Sequence, residues 1–520
     1  MTLQDYLRLK NGSDVRGVAI DGVKDEPVTL TEEAAENIAK AFCVWLLSRT
    51  GKTRVTVAVG YDSRISSPAL CDAVVRGITL SGHNAVVTGL STTPSMYMLL
   101  KEENSPCHGS VMITASHLPF NRNGLKFFSK NGGLEGEDVK EILQFAATYR
   151  FSEGLLGESV ERPYLDTYAA SLVAMVRNAT GEETPLCGKR ILVDAGNGAG
   201  GFYADKVLAP LGADTTGSQF LDPDGSFPNH IPNPEDKNAM RSVCEAVKAA
   251  KADFGIIFDT DVDRAGAVDK DGSEINRNRL IALISAILLS EKSGTIVTDS
   301  VTSDGLTKFI TAKGGRHHRF KRGYKNVINE AIRLNNEGEY TPLAIETSGH
   351  AALMENDFLD DGAYLITRLL IALAKAAKEG KTLTDLIADL EMPAETAELR
   401  LRFVSGCDFK ALGKEMLKEF EKLAAEKNYA SLAPDNREGC RVCYDEKHGD
   451  GWALLRMSLH DPILPINVES NAKGGVFKIV KDLYYTLREY PFLDVTPLSE
   501  FIEKTRAENI ANLRTRLSGK

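Results

Sequence analysis

Long apolar runs are missing from this 520-residue chain. No window approaches the roughly eighteen apolar residues that a membrane-crossing helix needs. The longest, such as Leu280 to Leu289, are broken or too short. The N-terminal residues MTLQDYLRLKNGSDVRG are charged and lack an apolar core, so no signal peptide is expected there. A basic excess is missing as well, for the formal net charge is -10. A weakly acidic surface has no general affinity for nucleic acid or for an anionic membrane. Anionic substrates must then be captured by a local basic pocket. A disulfide pattern is also lacking. The eight cysteines are scattered, most of them in apolar contexts such as Cys43 in AFCVWLL. That fits buried, reduced thiols and a cytoplasmic location. Cys440 and Cys443 form a C-x-x-C, but no second ligand pair accompanies them at zinc-site spacing. Two small residues on adjacent strands or a turn are expected there.

What is present is an ordinary globular balance, with 43% apolar and 26% charged residues. The length implies about three or four domains. Strand-like and helix-like segments alternate through the first three-quarters. RVTVAVGYDS reads as a strand, SPALCDAVVRGITLSG as a helix closed by Gly, and HNAVVTGL as a strand. KRILVDAGNGAG then runs into an expected helix, FYADKVLAPLG, and DFGIIFDTDVDR reads as a buried strand followed by an acidic loop. SGTIVTDSVTS and TPLAIETSGH open further units. Such alternation predicts mixed or parallel sheets covered by helices, with ligands at loops past the carboxyl ends of strands. The last quarter changes to a helix, DFKALGKEMLKEFEKLAAEKN, and short strands around CRVCYDE and GWALLRMSL, which predicts a smaller α+β domain. Expected domains are 1–160, 161–275, 276–393 and 394–520.

Four loops carry candidate chemistry. In VMITASHLPFNRNGLKFF, Ser116 stands at a strand end where a hydroxyl is exposed for phosphorylation or nucleophilic attack, with His117 and Lys126 near in sequence. In IIFDTDVDRAG, Asp259, Asp261 and Asp263 alternate with Thr and Val and are followed by Arg264. Carboxylates at that spacing repel unless a cation sits between them, and oxygen ligands suit Mg²⁺. An EF-hand is excluded, because the loop lacks its Gly and its closing Glu. In AIETSGH, Glu346, Ser348 and His350 form a hydrogen-bonding set for a polyol. In LLRMSLHDP, Arg456, Ser458 and His460 offer a guanidinium fork and a hydroxyl for phosphate. Taken singly, each loop also reads as an ordinary polar turn.

In this order and at these separations the loops resemble the α-D-phosphohexomutase superfamily over nearly the whole chain. TASHLPFNRNGLKFF is similar to its phosphoserine loop, DTDVDR to its metal loop D-G-D-G-D-R, ETSGH to its sugar loop E-x-S-G-H, and RMSLHDP to its phosphate loop R-x-S-x-T-E-P. SDVRG, VGYDSR, VDAGNGAGG and PDGSFPNHIPNPE add smaller matches. The resemblance implies an α/β fold: three similar mixed-sheet α/β domains and a smaller C-terminal α+β domain of the TATA-binding-protein type.

It also implies a mechanism. Phosphorylated Ser116 would give its phosphoryl group to one end of a hexose monophosphate, and the resulting 1,6-bisphosphate would turn over and return the other one. One Mg²⁺ would sit on Ser116, Asp259, Asp261 and Asp263, with hexose 1,6-bisphosphate as activator. Lys126 or His117 would move the proton, and Arg264 and Arg16 would line the cleft. Glu346, Ser348 and His350 would grip the sugar. Tyr324 and Lys325, in FKRGYKN, would read its stereochemistry, and Arg456, Ser458 and His460 would hold the far phosphate. The sequence departs from the pattern at Ser13, Leu118, Thr260, Val262, and Leu459 to Asp461. E-T-S-G-H resembles the glucose and mannose phosphate mutases more than the N-acetylglucosamine type. Phosphoglucosamine mutase, a 1,6-bisphosphate synthase and a non-catalytic sugar-phosphate binder are the alternatives, and monomer and homodimer stay equally open. The basic stretch Arg316 to Arg322 is expected to face the cleft or form a solvated edge, not to bind nucleic acid.

Overall fold

The computed structural model describes residues 1–149, 156–458 and 461–518. They form two compact units, one of residues 1–288 with 342–388, the other of 289–341 with 389–520. Among the described residues no helix is long and apolar enough to cross a membrane.

The first unit holds a large mixed sheet. Its strand order is Lys10–Asn11, Asp14–Val18, Arg122–Ser129, Gly109–Ile113, Thr56–Tyr61, Asn84–Leu90, Ser159–Glu161. Val57, Val59, Val111 and Ile113 are fully buried, as β-branched residues on a doubly covered sheet should be. The helix Glu32–Thr50 covers the sheet with Phe42 and Leu46. Thr31 caps it by accepting from the Ala34 amide, and left-handed Gly51 ends it. Thr56–Tyr61 and Gly109–Ile113 run parallel, with Tyr61 opposite Ile113. Both strands therefore release their loops, residues 62–66 and 114–121, at the same edge. Arg122–Ser129 returns antiparallel and sets Lys126 opposite Met112, near that edge.

A second sheet in this unit runs Glu274–Ile275, Ala265–Asp269, Phe254–Phe258, Ile191–Asp194. Phe254–Phe258 pairs parallel with Ile191–Asp194 and antiparallel with Ala265–Asp269, and Phe258 faces Ala265 across a hairpin whose loop is Asp259–Arg264. A further hairpin, Leu343–Ile345 with Ala351–Leu353, encloses residues 346–350. The helix expected over FYADKVLAPLG is instead a run of tight and wide turns, 3₁₀ at Ala199–Gly201 and Ala209–Leu211 and π at Tyr203–Leu208. Pro210 has no amide to give and the glycines on either side weaken regular α geometry.

In the second unit Thr295–Asp299 pairs parallel with Arg316–Phe320. The basic stretch is therefore an edge strand, exposed at Arg316 and buried further along. Its Arg319 and His318 are buried on Asp304, Asp435 and Glu330. A six-stranded sheet follows in the order Ala430–Leu432, Cys440–Tyr444, Gly451–Leu455, Ile463–Ser470, Glu395–Phe403, Leu493–Asp494. Its neighbours are antiparallel, and the helices Phe409–Glu426 and Gly475–Leu487 complete a core around Leu401, Phe420, Val442, Leu455, Ile466 and Leu483. Cys440 and Cys443 lie on one strand, not two, and an odd spacing puts them on opposite faces.

Candidate active site

Ser116 is nearly buried and takes a left-handed backbone, φ 52°. For a non-glycine residue that conformation costs roughly 1–2 kcal/mol, so the surroundings must impose it. Its amide donates to Thr114 Oγ1 at 2.9 Å. Its hydroxyl donates to Asp259 Oδ2 at 3.0 Å and accepts from Arg264 Nη2 at 2.7 Å. The Arg264 guanidinium also donates to His117 Nδ1 at 2.5 Å, which fixes that nitrogen as an acceptor. Burial, with Arg264 and Arg16 nearby, pushes the His117 imidazole down to about 2, so the ring is neutral. Arg16 pairs with Asp14 at 3.0 Å and reaches the Ala115 carbonyl at 3.5 Å.

The acidic loop stands against this hydroxyl. Asp259, Asp261 and Asp263 are all buried and present oxygens within 4.8 Å of one another. Lys126 Nζ donates to Asp261 Oδ2 at 2.8 Å and to Asp263 Oδ2 at 2.5 Å. Asp261 Oδ1 and Asp263 Oδ1 remain buried without a hydrogen-bond partner. Burial and the Asp263 charge raise Asp259 well above the carboxylate range. Burial also acts on Asp263, but Lys126, His350 and Arg264 outweigh it and hold that carboxyl low. Hard oxygen donors, closely spaced and with two orphaned atoms, fit a hard divalent cation. Val262 takes φ 65° in this loop, a position where a β-branched residue is strained.

The sugar-type loop closes the same unit. Glu346 is buried, its amide donates to the His350 carbonyl at 2.9 Å, its carbonyl accepts the Gly349 amide at 3.1 Å, and Ser348 Oγ donates to its carboxylate at 3.3 Å. Gly349 has φ 94° and lies so near the Ala265 carbonyl that an added Cβ would sit 2.7 Å from it. Asp360 grips His350 Nδ1 at 2.5 Å, and Asp263 lies 3.8 Å from the same nitrogen. Burial alone would lower His350, yet these two acids push it up to about 9.

One unit thus gathers Ser116, His117, Lys126, Arg264, Arg16, the three aspartates, Glu346, Ser348 and His350. Tyr324 and Lys325 begin the helix Tyr324–Asn336 of the second unit. Arg456 and Ser458 belong to that unit also. Burial, then the nearby Arg322, lowers Arg456, and Ser458 Oγ accepts the Asp461 amide at 3.3 Å. His460 lies outside the described residues. Sequence reasoning missed three contributors. Thr93 donates its hydroxyl to Asp261 Oδ2 at 2.5 Å and its amide to the Asp261 carbonyl at 2.9 Å. Asp360 holds His350, and Arg64 holds the Ser116 loop. Thr93 does follow a visible helix-start pattern, Thr92-Thr93-Pro94, but nothing local indicates its distant partner.

The family models for phosphoglucomutase/phosphomannomutase α/β/α domains I, II and III match residues 8–153, 163–272 and 276–392. A phosphoglucomutase of Neisseria gonorrhoeae is 30% identical over 92% of this chain and 96% of its own length. The chain belongs to the phosphoglucomutase/phosphomannomutase family. It is an enzyme of the mutase type. A phosphoglucomutase/phosphomannomutase of Thermococcus kodakarensis, also 30% identical, aligns over 87% of the chain and 94% of its own length. Among solved structures, a phosphoglucomutase/phosphomannomutase family protein from Burkholderia thailandensis superposes with a TM-score of 0.76 at 27% identity, covering 94% of this chain and 98% of that one.

Proposed function

We propose that this family member interconverts hexose 1-phosphate and hexose 6-phosphate, with glucose or mannose as the hexose, through a phosphoserine at Ser116 and a 1,6-bisphosphate intermediate. The observation that carries the reading is the Ser116 hydroxyl, held between the Arg264 guanidinium at 2.7 Å and the Asp259 carboxylate at 3.0 Å beside a cluster of buried acids. The relatives' names supply the sugar phosphates.

In the forward step a sugar hydroxyl oxygen bonds to phosphorus as the bond from phosphorus to Ser116 Oγ breaks. The sugar hydroxyl loses a proton and Ser116 gains one. Lys126, an ammonium pinned between two carboxylates, and His117, a neutral imbedded imidazole, are the proposed carriers of those protons. A phosphate dianion on Ser116 raises the basicity of His117 by charge, and thereby brings it into use. Arg264 steadies the transferring oxygens. Glu346 and Ser348 accept and donate to sugar hydroxyls, and His350 is set toward the same loop by Asp360. Ser116, Asp259, Asp261 and Asp263 are the proposed holders of one Mg²⁺. Such an ion, when bound, neutralises charge on the phosphoryl group in transit. Arg456, Ser458 and His460 are proposed for the phosphate not being transferred, and Tyr324 and Lys325 for reading the sugar, on the likeness of their loops alone.

Assays of glucose, mannose and glucosamine phosphates side by side, with Mg²⁺ and a 1,6-bisphosphate activator, test the reading. Turnover of glucose or mannose phosphate, abolished by chelator, is expected. Turnover confined to glucosamine phosphate, or accumulation of free bisphosphate as the end product, contradicts it.

A further inference from the structure

VGYDSR is matched to the family by its sequence, yet its arginine has no part in the chemistry proposed above. Arg64 is fully buried as a side chain. Its four terminal N–H groups go to four backbone carbonyls of one loop. Nη2 donates to Ser116 O and to Leu118 O at 2.7 Å, and Nη1 donates to Pro119 O at 2.8 Å and Arg122 O at 2.9 Å. The Asp62 carboxylate balances the charge at 3.3 Å from Nε. That carboxylate is itself fixed by the Arg64 amide at 3.0 Å and Ser67 Oγ at 3.1 Å. The far face of the guanidinium stacks on the Phe227 ring at 5.2 Å. Gly225 brings that loop so close to the Arg64 turn that an added Cβ would lie 2.3 Å from the Ile65 amide nitrogen.

The loop has few backbone bonds within itself. Its internal backbone bonds are Leu118 N to Ala115 O at 3.1 Å and Arg122 N to Pro119 O at 3.0 Å. Ser116 meanwhile keeps a left-handed backbone. A planar fork with four aimed donors can hold four carbonyls in one arrangement, whereas an ammonium is a point donor on a flexible stem. The parallel register that ends Thr56–Tyr61 opposite Ile113 is what places the fork beneath the loop.

We infer that Arg64 is a positioning residue for phosphoryl transfer, the clamp that fixes the left-handed Ser116 and aims its Oγ. It rests on the phosphoserine reading above. Arg64 touches neither the sugar nor the acids, so its loss falls on the transfer step and leaves substrate binding in place.

The test measures kcat and KM for purified, full-length Arg64→Lys and Arg64→Ala with saturating 1,6-bisphosphate, alongside circular dichroism and Ser116→Ala. Arg64→Lys is expected to lose kcat by on the order of 100-fold with KM within about threefold of the parent. Guanidinium added to Arg64→Ala is expected to recover kcat by about tenfold, and methylammonium to recover nothing, because the fork geometry and not the charge is required. Three results overturn the inference: kcat of Arg64→Lys within about threefold of the parent, no recovery of folded Arg64→Ala with guanidinium, or a loss accounted for by unfolded protein. If Ser116→Ala stays active, the phosphoserine reading itself fails. If Ser116→Ala is dead while the Arg64 variants keep full kcat, this inference alone fails.

Discussion

Two ionic clusters, one in each unit, differ in how completely their carboxylates are satisfied. In the second unit Arg441 and Arg319 face Asp304 and Asp435, so cations and carboxylates balance. Arg441 also donates to Ser300 O at 2.9 Å and Thr302 O at 3.2 Å, and stacks 3.7 Å from the Trp452 ring. Arg319 donates to Ser303 O at 2.8 Å. In the first unit Asp259, Asp261 and Asp263 face Lys126 and Arg264, and two carboxylate oxygens have no hydrogen-bond partner. Among the described residues, the carboxylates of this second-unit cluster leave no buried oxygen without a hydrogen bond, although Arg441 Nε is buried without one. A cluster left one cation short, with orphaned oxygens and a strained Val262, is arranged for something that arrives.

Substituting one charged residue is therefore expected to act differently in the two places. Asp261→Asn should lower kcat by on the order of 1,000-fold, since a carboxylate of the proposed metal site is lost. Its melting temperature should hold or rise, because repulsion among buried carboxylates is relieved. A coupled activity assay and calorimetry check both, and full activity in chelator would break the comparison. In the balanced cluster Arg441→Ala removes a buried guanidinium that bonds two carbonyls and stacks on Trp452, and should destabilise the protein by about 2 kcal/mol in denaturant titration.

Glu469 sharpens the contrast. Burial, with Asp304 nearby and Arg441 only partly compensating, pushes its carboxyl up to about 7. The folded state then holds the proton more tightly than the unfolded chain does. This stabilisation is full below the ordinary glutamate value of 4.5 and is lost as pH rises through about 7. Glu469→Gln should flatten that fall and add about 1–2 kcal/mol at pH 8, read from denaturation curves across the window. The smallest effect concerns Val262. Val262 and Val268 are both fully buried, but only Val262 is left-handed. Val262→Gly should therefore cost about 1 kcal/mol less than Val268→Gly, because it also relieves strain. Equal costs would mean the loop backbone stores none.

Much of this site was legible because its residues are local in sequence. The run Asp259-x-Asp261-x-Asp263-Arg264 is a hairpin loop, and its members stay together in the fold as they do in the chain. Ser116 was legible as a hydroxyl at the end of an apolar strand. What escaped depends on long-range pairing. Thr93 meets Asp261 across 168 positions and Arg64 meets Ser116 across 52. Neither contact leaves a periodic trace, since partners so far apart in the chain share no local spacing. The expected helix at Phe202 to Gly212 failed because apolar spacing was read without the proline and glycines that interrupt it. The basic strand misled for a different reason. Charge was read as exposure throughout, which holds for Arg316 at 57% but not for Arg319, buried on two carboxylates.

The account stands most directly on where the phosphoryl group is carried. Full-length enzyme incubated with hexose 1,6-bisphosphate is digested and its phosphopeptides mapped, with Ser116→Ala treated in parallel. One phosphoryl group at Ser116, absent from an inactive Ser116→Ala, is the predicted result. A stable phosphate on another residue, together with a fully active Ser116→Ala, would contradict it.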